Sequence, residues 1–399
     1  MNKIFKLFVL SMIIMFVFGC KKNSGAEVKK IVLDSERKVS TKNSDSNKSD
    51  STKKEETKTK EMEKTLNEKL DRYIKTVDKK SKVEEMICSG IYGTKYDKKM
   101  EDFLKATKPG AIILFKRNIS SDKQLKALVL DIRALYKNMN VHEPFIFVDE
   151  EGGRVDRLKS VYGKTNSPSW YFKNKPATDY GKRITDALKH FDFNGGFSPV
   201  LDTQKPGNGI IGDRAFSDNY ESVAKYARDV IDYMNKNNIV SVGKHFPGHG
   251  ATYVDSHKAL PIINKSYDEL LKTDLIPFKK NFDILCGVMV AHILAPKVDN
   301  LPASLSKVWM GKIRDEYKFD GIVFSDDLTM GALDSYGDLK TRARKFVEAG
   351  GDIPLVCHKN EEMAGVISEL LKVDDSRIDD SYKIIIKLKL EIGLISEIK

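Results

Sequence analysis

Lys244-His245-Phe246-Pro247-Gly248-His249-Gly250-Ala251-Thr252 places two histidines four residues apart, and Asp255-Ser256-His257 follows shortly behind. On a helix, His245 and His249 would share one face and could hold a metal ion. Pro247, Gly248 and Gly250 forbid a regular helix, so that geometry lapses and the segment is expected to be a structured loop leaving a strand. Asp255 and His257 make a different pair. In an extended segment, residues two apart face the same way, so the Asp255 carboxylate can hold and polarise the His257 imidazole. With an unperturbed pKa of about 6.5, an imidazole can both give and take protons near neutrality, which is general acid and base chemistry. Elsewhere, Phe324-Ser325-Asp326-Asp327 sets two acids side by side, and Asp149-Glu150-Glu151-Gly152-Gly153 precedes Arg154 and Arg157. Spacing alone leaves plainer alternatives open. Adjacent acids can solvate a loop, Asp149 can cap a turn while the arginines pair locally, and a histidine-rich loop can be purely structural.

These residues need elements to position them. Short apolar runs lie near Met86 to Ile91, Ala111 to Phe115, Phe145 to Val148, Gly196 to Leu201, Val240 to Phe246, Val288 to Ala291, Ile322 to Phe324 and Ile353 to Cys357. After a helix expected over about Leu66 to Val77, amphipathic stretches alternate with these runs: Asp122 to Asn138, Thr178 to Phe193, Ser222 to Asn238, Tyr267 to Asn281 and Leu339 to Ala349. Eight strands alternating with helices predict an α/β fold, a parallel (β/α)8 barrel of the TIM type in a single catalytic domain. A doubly wound open sheet has the same alternation, but the chain lacks its glycine-rich dinucleotide fingerprint. Arg117 and Asn118, Asp149, Asp202, Lys244 and His245, His292, and Asp326 all stand at or just past the C-terminal end of a predicted strand. Barrel enzymes build their sites on that face. Pro354 lies inside the eighth run and removes a ladder donor, which predicts a short or kinked strand.

At this level of detail the chain resembles the glycoside hydrolase family 3 β-N-acetylglucosaminidases. KHFPGHGATYVDSH is similar to that family's signature loop, and the blocks GAIILFKRN from Gly110, VDEEGGRV from Val148, FSPVLD from Phe197 and FSDDL from Phe324 stand in the family's order. The resemblance covers roughly residues 65 to 399. It implies that Asp326 is a carboxylate nucleophile, and that the Asp255 and His257 dyad replaces the second carboxylate a retaining glycosidase normally needs. It further implies that Asp149, Arg157, Arg214, Lys244 and His245 bind the non-reducing sugar, with His249 structuring the loop and Asp327 without an assigned role. Carboxylates suit sugar binding because each accepts hydrogen bonds from more than one ring hydroxyl. The expected reaction is removal of a terminal β-linked N-acetylglucosamine from an amino-sugar oligosaccharide, a cell-wall fragment or chitin oligomer, with no metal and no organic cofactor. Two alternatives stay open. The scaffold could instead cleave β-glucosides or use phosphate in place of water, since a neutral histidine does not repel an incoming phosphate. It could also be a non-catalytic sugar-binding protein, which the intact Asp326 and dyad disfavour.

The 399 residues are 41% hydrophobic, enough for a substantial core, and carry a net charge of +11. Lysine is spread along the whole chain without interleaved aromatic residues, so no nucleic-acid groove is expected. No protein partner is implied either. Lys3 and Lys6 precede an apolar run from Leu7 to Phe18 that is short for a membrane span and has the form of a secretion signal. It ends at Gly19-Cys20, similar to a bacterial lipoprotein cleavage site. Residues 1–19 are therefore expected to be the signal, with Cys20 bearing lipid and anchoring the exported protein to a membrane on its extracytoplasmic side. Residues 20–64, rich in Lys, Ser, Thr, Asn, Asp and Glu and free of aromatics, should be a disordered tether to a catalytic domain over 65–399. Cys88, Cys286 and Cys357 are odd in number and show no Cys-x-x-Cys spacing, which argues for buried free thiols over a disulfide framework or zinc site, although a Cys88 to Cys357 bridge would join neighbouring strands.

Overall fold

The computed structural model describes residues 63–252 and 259–398. Eight parallel strands close into a barrel. In chain order they are β1 (Cys88–Gly90), β2 (Ala111–Leu114), β3 (Phe145–Val148), β4 (Gly195–Gly196), β5 (Val240–Phe246), β6 (Gly287–Val290), β7 (Ile322–Asp327) and β8 (Ile353–Val356). Each pairs with its sequence neighbours, and β8 closes on β1 through Cys88 opposite Leu355 and Ser89 opposite Val356. All eight expected runs therefore become strands of one (β/α)8 barrel.

The residues that break regularity do so for chemical reasons. β4 is short because the chain reaches Pro199, which has no N–H to give to a ladder; beyond Gly196 the Ser198 and Pro199 carbonyls still accept from the Val242 and Lys244 N–H groups of β5, and Val200 bridges to Lys244. Pro354 shifts the register between Ile353 and Leu355 against β7, as its position in the sequence predicts. The Ser325 hydroxyl takes up the slack by accepting a hydrogen bond from the Leu355 N–H at 2.8 Å. Side chains fill the barrel interior. Phe147 stacks on Phe197 with centroids 4.7 Å apart, and Phe324 meets the two edge-on at 5.6 and 5.5 Å. Gly195 makes room for them, because a Cβ there would fall 2.1 Å from Phe147 Cε1.

Capped amphipathic helices wrap the barrel. Asp122–Asn138 starts at Ser121, Tyr220–Lys236 at Asn219 and Leu339–Ala349 at Asp338, each cap side chain accepting from a first-turn N–H. The single helix expected over Tyr267 to Asn281 is instead two short ones, Tyr267–Leu271 and Ile276–Lys279. Pro277 is the reason: it is tolerated in a first turn but not in a helix interior. Outside the barrel, the helix over residues 63–74 packs on Asp375–Glu391 through a satellite cluster of Leu70, Ile74, Tyr382 and Ile386. Lys389 from that last helix is fully buried, pairs with Glu85 just before β1, and donates to the Glu143 carbonyl just before β3 at 2.7 Å. The N- and C-terminal helices thus meet the barrel at the entry ends of its strands, away from the face where the candidate residues stand. Cys88 and Cys357 are buried free thiols, as expected, whereas Cys286 is only half-buried and its thiol donates to Asn235 Oδ1 at 3.2 Å.

Candidate active site

Lys244, near the end of β5, organises the closed end of the site. Its ammonium lies 2.7 Å from Asp149 Oδ1 and 2.6 Å from Glu151 Oε1, and it is 2% exposed. Glu151 in turn takes two bonds from Arg214, 2.7 Å from Nε and 2.8 Å from Nη2. Burial alone would drive the Glu151 carboxyl up, but Arg214 and Lys244 overcome it and hold the group well below the usual carboxylate range. The same carboxylates, working against burial, raise Arg214 and Lys244 above their ordinary values. Glu151, Arg214 and Lys244 therefore stay ionised together at this end of the site. Glu150, between the two acids, faces away. It accepts from the Leu158 N–H at 3.0 Å and the Thr165 hydroxyl at 3.3 Å, and burial beside Asp156 pushes it up to about 8.

Arg214 is carried on a loop that neighbouring elements hold in place. Arg154 donates to the carbonyls of Gly209 and Ile211, at 2.5 and 2.7 Å. Buried Asn208 donates to the His249 and Gly250 carbonyls at 3.2 and 2.9 Å and accepts from the Ile210 and Ile211 N–H groups. Gly248 has φ of 125°, and a Cβ there would fall 2.7 Å from Asp274 Cβ, so the turn after β5 requires glycine.

Both histidines of the loop hang on Asp202. Its Oδ2 lies 2.6 Å from His245 Nδ1, and its Oδ1 accepts from the His249 N–H at 2.5 Å. His245 therefore carries its proton on Nδ1, and Nε2 accepts from Arg214 Nη2 at 3.3 Å. With both nitrogens engaged, His245 has no lone pair for a metal. His249 donates from Nδ1 to the Thr252 hydroxyl at 2.7 Å, since that hydroxyl spends its own proton on the His249 carbonyl. Burial pushes His249 below its ordinary pKa.

Asp326 ends β7, half-buried, and its Oδ1 accepts from the Asp327 N–H at 2.8 Å. Burial works against its charge, yet His292, His245 and that N–H hold the carboxyl below its ordinary value. Among the described residues its second oxygen has no such bond. Asp327 has a structural job: Oδ1 accepts from the Thr329 and Cys357 N–H groups at 3.0 and 3.3 Å, and its carbonyl accepts from His292 Nε2 at 3.0 Å.

One cavity of about 250 Å³ brings together Asp149, Arg157, Arg214, Lys244, His245 and Asp326 from the sequence expectations, with Glu151 and His249 added. Arg157 lines it with a buried Nε that has no partner among the described residues. Asp255, His257 and Cys20 lie outside the described residues. Glu151, and Asp202 beyond its place at a strand end, join the candidate site with roles that sequence reasoning did not assign. Glu151 was signalled by period: Asp149 and Glu151, two apart in extended chain, share the face that meets Lys244.

Residues 69–388 match the family described as the glycosyl hydrolase family 3 N-terminal domain. A β-hexosaminidase of Alkalilimnicola ehrlichii is 36% identical over 295 residues, 71% of this chain and 84% of that one. Its counterpart in Neisseria gonorrhoeae is 39% identical over 264 residues, 63% of this chain and 72% of its own. Among solved structures, a family 3 β-N-acetylglucosaminidase from Paenibacillus sp. FPU-7 superposes with a TM-score of 0.76 at 29% identity, covering 80% of this chain and 63% of that one. NagZ from N. gonorrhoeae in complex with N-trifluoroacetyl-D-glucosamine gives 0.67 at 33% identity, covering 75% and 89%. The chain thus spans just under two thirds of the Paenibacillus protein and most of the bacterial β-hexosaminidases. With a closed barrel, a carboxylate at the end of β7 and a family match over most of its length, the chain belongs to glycosyl hydrolase family 3, among its β-hexosaminidases, and is a glycoside hydrolase.

Proposed function

We propose that this glycosidase removes single β-linked N-acetylglucosamine residues from the non-reducing end of cell-wall fragments or chitin oligomers, with retention of configuration. The observation that carries the proposal is the polar end of the cavity, where Asp149, Glu151, Arg214 and Lys244 form a largely buried, charge-balanced group lining the same cavity as Asp326. A wall of that kind recognises the hydroxyls of a terminal ring and blocks further sugar, which favours exo cleavage. The names of the related proteins favour an amino sugar.

In the first step an oxygen of Asp326 forms a bond to the anomeric carbon as the glycosidic C–O bond breaks. His257 gives its proton to the departing oxygen, supported by Asp255. In the second step the neutral imidazole takes a proton from water, whose oxygen displaces Asp326 and releases the sugar. The low pKa of Asp326 suits it for the first step, since it is charged across the neutral range.

Export and anchoring belong to the same proposal. Cys20 bears the lipid, and residues 21 to 62 bridge the membrane surface to the barrel. Among the described residues no helix is long and apolar enough to cross a membrane.

The test is a rate comparison of aryl β-N-acetylglucosaminide with aryl β-glucoside, each with and without phosphate. Preference for the amino sugar, with free sugar as product in both buffers, is expected. Faster glucoside cleavage or formation of a sugar phosphate would replace the proposal with one of the two enzymatic alternatives, and no turnover of either would favour a binding protein.

A further inference from the structure

The ends of β8, β1 and β2 carry an aromatic group that the sugar-binding wall does not use. Phe115 and His358 line the cavity and stack with centroids 5.6 Å apart and planes 29° from parallel. Arg117 lies over the Phe115 ring at 4.3 Å and over the Tyr92 ring at 5.3 Å. Its own bonds are fixed, from Nε to the Ile91 carbonyl at 3.1 Å and from Nη2 to the Cys357 carbonyl at 2.7 Å. Asn118 adds bonds to the Ile91 and Gly93 carbonyls at 3.0 and 2.9 Å, so the turn that carries Tyr92 is held on both sides. The Tyr92 hydroxyl accepts from the Lys359 N–H at 3.1 Å. Tyr92 is nevertheless 45% exposed, and His358 is exposed as well. Tyr92 is thus tied through Arg117 and Lys359 to the two rings that line the cavity, and a large ring locked in place beside a cavity and left facing solvent is a preformed contact surface.

Its position identifies the occupant. His358 Nε2 lies 4.0 Å from Asp327 Oδ2, so the group sits beside the residue that follows the nucleophile. In a double displacement the leaving group departs from the face of the sugar opposite the attacking carboxylate. The polar end is closed by buried Lys244 and Glu151, so the leaving group extends toward the open rim. Sugar rings present flat C–H faces, which pack on aromatic rings as other flat groups do.

On the functional reading above, we propose that Tyr92, with the Phe115 and His358 stack, is the subsite for the leaving group, and that it takes a pyranose ring by stacking, with Arg117 as a positioning residue. Substrates with a ring beyond the scissile bond feel it, and substrates with a small leaving group do not.

The test pairs N,N′-diacetylchitobiose with N-acetylglucosaminyl fluoride, whose leaving group is a single atom. Tyr92→Ala should lower kcat/KM about 5- to 10-fold on the disaccharide, as expected from loss of one stacking contact, and leave the fluoride within about 2-fold. Tyr92→Phe should keep most of the disaccharide rate. A second readout is independent of how much protein folds: the partition of the glycosyl-enzyme between water and a methyl pyranoside acceptor should move toward water by the same factor in Tyr92→Ala. Equal losses on both substrates, or an unchanged partition, would overturn the subsite while leaving the hydrolase intact. A wild-type protein that cleaves neither substrate would overturn the functional reading and the subsite with it.

Discussion

Each histidine of the loop has one assignable proton, His245 on Nδ1 against Asp202 and His249 on Nδ1 against Thr252. Glu151 and Glu150 show how far neighbours of one type can diverge. Glu151 is held low by Arg214 and Lys244, so its share of stability is present above the ordinary carboxylate range and is lost on acidification. Glu150 is held up at about 8, so it binds a proton in the folded chain that the unfolded chain has released. Its contribution is full below about pH 4 and is lost as pH rises toward 8. Glu150→Gln should therefore flatten the fall in melting temperature between pH 5 and 8 that wild type shows; an identical slope in the two proteins would place the proton elsewhere. At the dyad, His257→Ala should slow cleavage of a natural disaccharide by ~10²–10⁴, the usual worth of general acid assistance, and glycosylation by a nitrophenyl glycoside much less. Single-turnover rates check it, and equal losses on both would make His257 a positioning residue. Most of these residues were legible, because a polar side chain at a strand end stands out against an apolar run. Asp202 was legible as a strand-end acid and Glu151 only through its spacing from Asp149, but the role of neither was, since their partners come from other strands, with Lys244 lying 93 residues beyond Glu151 and His245 43 residues beyond Asp202.

At the scale of elements, the barrel was readable because each of its strands is a short apolar run closed by a turn, and buried parallel strands are written that way. Helix boundaries were readable where a cap residue stands, as at Ser121 and Asp338. What the pattern hid was the C-terminal helix Asp375–Glu391, whose buried face includes Lys389 and Ser381 among its isoleucines. A buried lysine reads as a surface residue until its partner is known. Because Lys389 and Glu85 are both nearly or fully buried, Lys389→Met should cost ~3–5 kcal/mol by leaving the Glu85 charge unpaired. Denaturant unfolding measures this, and replacing both residues, Glu85→Gln with Lys389→Met, should recover much of the loss. A single-variant cost below about 1 kcal/mol would mean that water already reaches the pair.

The whole molecule divides its tasks between two ends of a barrel. The satellite cluster of helices 63–74 and Asp375–Glu391 sits at the strand entry end, and the candidate site at the exit end. A chain joined through residue 63 can thus be tethered without obstructing its mouth. Removing residues 1 to 62 should give a soluble enzyme with unchanged kcat/KM on a small aryl substrate, and Cys20→Ala in the full chain should abolish lipid labelling. Loss of activity on truncation would mean that the leading segment packs on the barrel, and retained labelling would remove the anchor assignment. The central claim is that Asp326 forms the bond to sugar, and intact-mass measurement of the protein after reaction with a slow fluorinated N-acetylglucosaminide tests it most directly. The account predicts one added sugar per chain, mapping after digestion to Asp326 and absent from Asp326→Asn, which should still bind the sugar. A sugar mapped to Asp149 or Asp327, or turnover with inversion and no adduct, would contradict it.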